Sequence, residues 1–385
     1  MADVVVVGLG AMGSAALHRL ALGGARAVGI DRFRPPHARG SSGGGTRITR
    51  VAIGEGEVYV PIVRRSHAIW RELEAETGAE LFLACGGLVI AGGDASHPKK
   101  AAFFDMTVAA AERFAVPHEL LSAADLADRY PQLGLNGSER GYFEPGAGLL
   151  YPERCIATQL RLAEEGGAVL RLDERVTAVL PDGDGVLVET DRGRLSAGAA
   201  IVAAGAWAPG LVPGALDGLA IHRQVLTWFE TENPADYDPT RFPVFIWMHG
   251  AGAQFYGFPA VPGQSGLKAA TETYDASLAV PEDRDGIVDP QEVRRVYEDH
   301  VRGRLRGVTS RCLDAQTCLY TQAPDVGFVV DRHPESERIV LVSACSGHGF
   351  KHSPAIGEAV ASLLGYGRSK VDLSSFRRRS FSTAA

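Results

Sequence analysis

Cysteine is scarce in this chain and carries no pattern. Five of its 385 residues are cysteine, namely Cys85, Cys155, Cys312, Cys318 and Cys345. The number is odd and no two are spaced as C-x-x-C, so neither a disulfide framework nor a metal site is expected. Reduced thiols in a cytoplasm are the expectation. Basic charge is not in excess either. Lys and Arg number 39 against 46 Asp and Glu, a net charge of −7. That balance argues against nucleic acid as a partner. The one basic run, Arg377-Arg378-Arg379, reads as a solvated tail. No apolar stretch reaches the ~18 residues that cross a bilayer. Met1-Ala2-Asp3 leads straight into an apolar strand, so no signal peptide is expected. Internal repeats and low-complexity linkers are missing as well. What remains is the composition of a globular protein, 45% hydrophobic and 22% charged, long enough for two domains.

The most informative feature lies at the start. Val4-Val5-Val6-Val7 runs into Gly8, Gly10 and Gly13, and Asp31 follows a second apolar stretch, Ala27-Val28-Gly29-Ile30. This is G-x-G-x-x-G in its dinucleotide context of strand, tight turn, helix, strand and acid. Gly8 makes the turn, Gly10 admits a pyrophosphate, and Gly13 lets helix and strand pack closely. Free N–H groups and the positive dipole end of the helix favour phosphate. Asp31 can accept from ribose hydroxyls. The motif does not choose between FAD and NAD.

A loop rich in turn formers, Arg34 to Gly45, follows and is too long for a plain connector. It ends in Thr46-Arg47-Ile48-Thr49-Arg50. Helical spacing predicts helices over Val60–Glu76, Ala101–Phe114, Ala123–Arg129 and Cys155–Glu165, one from Pro290, and one over Pro354–Leu364. Apolar runs predict strands at 87–90, 169–172, 176–179, 200–207 and 339–342, with a hairpin turn at 182–185. From Ile221 to Thr273 the pattern is β-rich. Nucleotide signals lie at both ends and in the middle, so interleaved domains are expected.

Further segments carry a family resemblance. Pro35-Pro36-His37, Thr46 to Arg50, Tyr256-Gly257-Phe258-Pro259, Gly266-Leu267-Lys268, Cys318-Leu319-Tyr320-Thr321, Pro324-Asp325 and Gly347-His348-Gly349-Phe350-Lys351 follow the glycine turn in this order. Together they resemble monomeric sarcosine oxidase and N-methyltryptophan oxidase, flavin amine oxidases of the larger D-amino-acid oxidase group. The resemblance spans nearly the whole chain and points to FAD. It implies an α/β fold in which a glutathione-reductase-like Rossmann FAD-binding domain, 1–86, 146–219 and 319–385, interleaves with a mixed β-sheet substrate domain, 87–145 and 220–318.

The resemblance also implies roles. Cys318 is the expected covalent anchor, through sulfur to the 8α-methyl of the flavin ring; Cys312 and Cys345 are expected to be packing residues. Lys268 promotes reaction with O₂, as a fixed cation stabilises charge developing on oxygen, and Arg47 sits by the ring. Arg50 and Lys351 bind the substrate carboxylate, a planar fork and a point charge on one anion. Tyr256, Tyr320 and Trp247 line the pocket. The Gly347–Gly349 amides, more than the His348 ring, face the electron-rich flavin edge. Cofactor contacts are expected from Gly8, Gly10, Ala11, Met12, Gly13, Asp31, Arg32, Ser42, Thr46, Arg47, Val176, Gly205, Trp207, Cys318, Gly347, His348, Gly349, Phe350 and Lys351. Two positions depart from the family. Gly43 stands where a flavin-side histidine is usual. Glu272 replaces a substrate-site histidine four residues after the lysine, which would favour a cationic or donor-bearing side group.

The implied activity is oxidation of the C–N bond of an N-substituted amino acid to an imine, with O₂ reduced to H₂O₂, by a monomer without metal. Two other readings stay open. One is a dehydrogenase passing electrons to a carrier, against which Lys268 argues. The other is a flavin-binding redox protein without turnover, against which Arg50, Lys268 and Lys351 argue.

Overall fold

The computed structural model describes residues 1–92, 98–250, 252–264, 266–274 and 277–378; Arg379 of the basic run lies outside them. The fold is the expected mixed α/β arrangement, built on two large sheets and one small one.

The first sheet grows around the Ala2–Val7 strand. Val4 to Val7 are buried, as a continuous apolar run requires when both faces of a parallel strand are covered. This strand pairs in parallel with Ala27–Ile30 on one side and Gly193–Val202 on the other. Val169–Arg171 and Ser336–Ser343 extend the sheet in parallel on either flank. Antiparallel hairpins, Val176–Asp182 with Gly185–Thr190 and Val329–His333 with Ser336–Ser343, complete it. The Ala11–Leu22 helix packs against Pro152–Glu165 and Ser353–Leu363. Its approach to the last is so close that a Cβ on Gly357 would lie 2.6 Å from the Ala15 backbone.

The second sheet runs in the order Val308–Gln322, Ala220–Thr231, Leu267–Ala270, Ala253–Phe258, Val244–His249, Gly87–Ala91, Arg140–Glu144, Glu119–Leu121. Among the described residues only the Val244–His249 pairing with Gly87–Ala91 is parallel, so the sheet is mixed. The Val308–Gln322 strand is continuous through Cys318 and Leu319. Arg47–Thr49 joins Gly148–Leu150 and Phe82–Leu83 in the small third sheet.

Predicted elements recur with shifted ends. The Cys155 helix begins at Pro152, where a proline without an N–H suits the first turn. Among the described residues no helix is long and apolar enough to cross a membrane.

Candidate active site

A cavity of about 860 Å³ runs between the two large sheets and is lined by residues of both. Its size is that of a small-molecule site.

At one end lies the glycine turn. Gly8 adopts φ +86°, and a Cβ on Gly13 would fall 1.7 Å from the Gly8 carbonyl oxygen, so only glycine fits there. The helix behind the turn starts without a side-chain cap from Gly10. Gly10, Ala11 and Met12 line the cavity, and the Ala11 N–H reaches Ser42 Oγ at 3.3 Å. Asp31 accepts the Leu9 N–H and the Phe33 N–H, both at 2.8 Å. The acid thus fixes the turn while facing the cavity. Arg32, Val176, Gly205 and Trp207 line the same end. Over it closes a segment the sequence did not suggest. Glu282 Oε1 pairs with the Arg32 guanidinium and accepts the Trp207 Nε1–H at 2.8 Å. Arg284 donates to the Ala38 and Thr317 carbonyls at 2.9 and 3.1 Å.

Midway along sits Lys268, 1% exposed. Its strand register places it opposite Trp228 and Phe258. Cross-strand partners share a sheet face, and Lys268 Nζ lies 5.1 and 4.8 Å from those ring centroids. It donates to the Gly44 and Thr46 carbonyls at 2.7 and 3.2 Å. Burial, then Arg47, pushes the Lys268 ammonium well below the usual lysine range; the carbonyls and ring faces support the charged form. Arg47 donates to the Thr46 and Ser41 carbonyls, both at 2.8 Å, and to Gly43, tying the glycine loop together. The Leu319 N–H holds the same loop at Gly40.

Cys318 and Tyr320 share one face of their strand by the period of two. Cys318 is 3% exposed and packs with Leu226, Trp228 and Tyr320, close to Cys345 and Tyr256. It stands just behind the cavity wall, whereas Cys345 lines the cavity itself. Burial raises the Cys318 thiol pKa, and Arg47 and Lys268 oppose that rise. Cys312 is half-buried, its sulfur 3.0 Å from the Asp314 carbonyl.

At the far end Arg50, 3% exposed, pairs with Glu55 at 2.8 Å and donates to the Ala52 carbonyl. Lys351 lies 3.7 Å from Glu55 and donates to the His348 carbonyl at 2.9 Å. One carboxylate therefore bridges the two predicted cations. Burial alone would raise the Glu55 pKa; Arg50 and Lys351 more than reverse it and hold the group ionised. Burial lowers Lys351 to about 8, with Glu55 opposing. The Tyr256 and Tyr320 hydroxyls stand 3.5 Å apart, and burial keeps both phenols protonated. Burial likewise lowers His348 to about 4, and its neutral ring stacks on Phe328 with centroids 4.7 Å apart. Gly347, at φ +78°, and Gly349 shape the turn beside it; a Cβ on Gly349 would meet the Ala344 oxygen at 1.7 Å. Glu272 and Tyr274 line the same end, their side-chain oxygens 3.3 and 3.2 Å from where a Cβ on Gly347 would sit.

Three expected residues do not line the cavity: Gly13, pressed against the Gly8 carbonyl, Cys318, behind the wall, and Trp247. Trp247 is 1% exposed and stacks on Phe255, centroids 5.9 Å apart, in the core of the second sheet. Its neighbour Ile246 lines the cavity instead. Ile246 is the register partner of Tyr256, so the alternation of strand faces turns Trp247 away. Glu55, Tyr274, Gln254, Cys345 and Glu282 were not anticipated. For Glu55 a signal existed: an acid between two glycines, five residues after Arg50.

The set of groups fits FAD: bare helix amides and an acid at one end, a long trough, and cations at the other. The comparisons agree. The sequence profile of the family described as FAD dependent oxidoreductase matches residues 3–363. The chain is 37% identical over 376 residues to monomeric sarcosine oxidase of Streptomyces avermitilis, covering 94% of this chain and 93% of that one. It is 32% identical over 382 residues to N-methyl-L-tryptophan oxidase of Salmonella dublin, covering 99% of each. Among solved structures, NikD, an unusual amino acid oxidase essential for nikkomycin biosynthesis, superposes with a TM-score of 0.86 at 25% identity over 98% of this chain and 97% of that one. With a full-length profile match and two such relatives behind the same cavity, the chain belongs to the FAD dependent oxidoreductase family.

Proposed function

We propose that the protein oxidises the C–N bond of N-substituted amino acids to an imine, with O₂ reduced to H₂O₂. The observation that carries this reading is the cavity with a dinucleotide turn at one end and the Arg50–Lys351 cation pair at the other. FAD, when bound, supplies the redox chemistry, taking a hydride equivalent from the C–H beside nitrogen and passing the electrons to O₂. The protein's own groups do the rest. Arg50 and Lys351 carry two positive charges against one on Glu55, so their surplus matches one substrate carboxylate. The protonated Tyr256 and Tyr320 hydroxyls offer donors in the same cavity. Lys268 presents a preorganised cation where negative charge develops on oxygen. Released imine is hydrolysed by water.

Cys318 is the residue that would hold FAD covalently, through its sulfur, with O₂ as the two-electron oxidant such a thioether bond would require. Its place behind the cavity wall, beside the two cations that oppose the rise in its pKa, supports the assignment. A monomer in the cytoplasm is the proposed state; the unpaired cysteines suit such a compartment.

Oxygen uptake and peroxide formation with N-methyl amino acids test the reading. One H₂O₂ per O₂ is expected, and reduction of an artificial acceptor without oxygen uptake would make the protein a dehydrogenase. Lys268→Met should still bleach its flavin anaerobically with substrate but reoxidise about 10²–10³-fold slower. Acid-precipitated protein should stay yellow, and colour lost wholly to the supernatant would remove Cys318 as the anchor.

A further inference from the structure

The glycine stretch from Gly43 to Gly45 holds one peptide unit between two charges. The Gly44 carbonyl accepts from Lys268 Nζ at 2.7 Å, and the Gly45 N–H donates to Glu153 Oε1 at 3.0 Å. Both groups belong to the peptide that joins Gly44 to Gly45, so the ammonium and the carboxylate sit at opposite ends of a single amide dipole. An anion on the N–H and a cation on the oxygen polarise that amide in the same sense, and each hydrogen bond strengthens the other. Glycine lets the peptide turn this way. Gly44 and Gly45 adopt φ +99° and +76°, and a Cβ on Gly44 would fall 2.6 Å from Leu226 Cδ1. Thr46, fully buried, adds its carbonyl and hydroxyl to the same ammonium at 3.2 and 3.4 Å.

Lys268 depends on such support. It is almost wholly buried, and Arg47 brings a second cation to the same loop through the Ser41, Gly43 and Thr46 carbonyls. Burial and Arg47 work against the ammonium, while Cys318 and Glu153 work for it. Cys318 lends negative charge only as a thiolate, and a sulfur bonded to flavin has none to lend. Glu153 stands in the first turn of the Pro152–Glu165 helix, where an acid also suits the helix dipole. It does not line the cavity, so its route to the chemistry is the loop.

We propose that Glu153 is the positioning residue for Lys268: through the Gly44–Gly45 peptide it fixes the ammonium in the cavity and supplies its counter-charge. The proposal rests on the reading of Lys268 as the cation that meets oxygen, and names the residue that sets it.

Nuclear magnetic resonance of the FAD-loaded protein, with lysine ¹³C-labelled at Cε, reads the charge without turnover. The chain has five lysines, Lys99, Lys100, Lys268, Lys351 and Lys370, and the signal lost in Lys268→Met assigns Lys268. Glu153→Gln keeps an acceptor for the Gly45 N–H and removes only the charge. Its Lys268 signal should titrate at a pH lower by about 0.5 or more, about a threefold change in the ratio of ammonium to amine. Glu153→Asp should move it part of the way, and gives the same reading if the glutamine variant does not fold. Stopped-flow reoxidation of the reduced flavin in air should slow as pH rises, and in Glu153→Gln that fall should begin at correspondingly lower pH. A helix-end role alone lowers the melting temperature and leaves the Lys268 titration where it was. That result, or a Lys268 signal that titrates at the same pH in every variant or in none, overturns the proposal. A shifted titration with reoxidation unchanged across pH upholds Glu153 as the partner of Lys268 and removes Lys268 as the cation that meets oxygen.

Discussion

Lys351 is the residue whose chemistry is most exposed to pH. Burial brings it down to about 8. The sign follows from the charged form. Below about pH 8 Lys351 is an ammonium and the clamp is complete; as pH rises through 8 the charge and its hold on a carboxylate are lost. For a carboxylate substrate, kcat/KM reports the free enzyme, and it should fall above about pH 8. Lys351→Arg should push that fall to higher pH, and an unchanged falling limb would exclude Lys351 as its source. At this scale a motif in the sequence pointed to residues that line the cavity, as at Asp31, Lys268 and Lys351. The sequence was opaque where a partner comes from an unremarkable segment. Glu55 and Tyr274 are ordinary residues until the fold brings them to the clamp. Trp247 misled because an aromatic ring in an apolar strand says nothing about which face it takes.

The turn from Ser346 to Gly349 illustrates what an element contributes beyond its residues. It joins the end of the Ser336–Ser343 strand to the Ser353–Leu363 helix, with Ser346 at φ +39° and Gly347 at φ +78°. Gly349 is pressed against the Ala344 oxygen. A methyl group there overlaps backbone rather than a movable side chain, so Gly349→Ala should cost at least the ~1–3 kcal/mol of core overpacking. We expect a melting temperature lower by several degrees and purified protein carrying well under one FAD per chain. Full flavin content at an unchanged melting temperature would show that the turn tolerates a side chain. Strands and helices were legible in outline, because buried parallel strands read as apolar runs and helices as 3.6-residue periodicity. Register was not. The pairing of Lys268 with both Trp228 and Phe258, and of Ile246 with Tyr256, depends on long-range order that local pattern does not encode.

Across the whole molecule, the glycine turn belongs to the first sheet, while Glu282, which reaches Arg32 and Trp207 at the same end of the cavity, lies along the chain between two strands of the second, Leu267–Ala270 and Val308–Gln322. The Glu282 contacts with Arg32 and Trp207 are half exposed on the glutamate side. Exposed ion pairs contribute about 0.2–1 kcal/mol, weak enough to open and close freely. Glu282→Ala should therefore speed FAD uptake by flavin-free protein, by no more than about fivefold, and added salt should speed uptake by the unaltered chain. Stopped-flow fluorescence of FAD on mixing reads both, and uptake slowed by the substitution would make Glu282 a ligand rather than a latch. Strands of the two large sheets alternate along the chain; the latch was not legible, since nothing in Pro281-Glu282-Asp283 marks it.

The Ala2–Val7 strand has a further consequence, which concerns timing. One of its neighbours, Gly193–Val202, comes nearly two hundred residues later in the chain, and that neighbour's own parallel partner, Ser336–Ser343, later still. Pairings so distant in sequence form slowly. The nucleotide turn thus waits for strands far along the chain, and FAD capture is expected to follow their pairing.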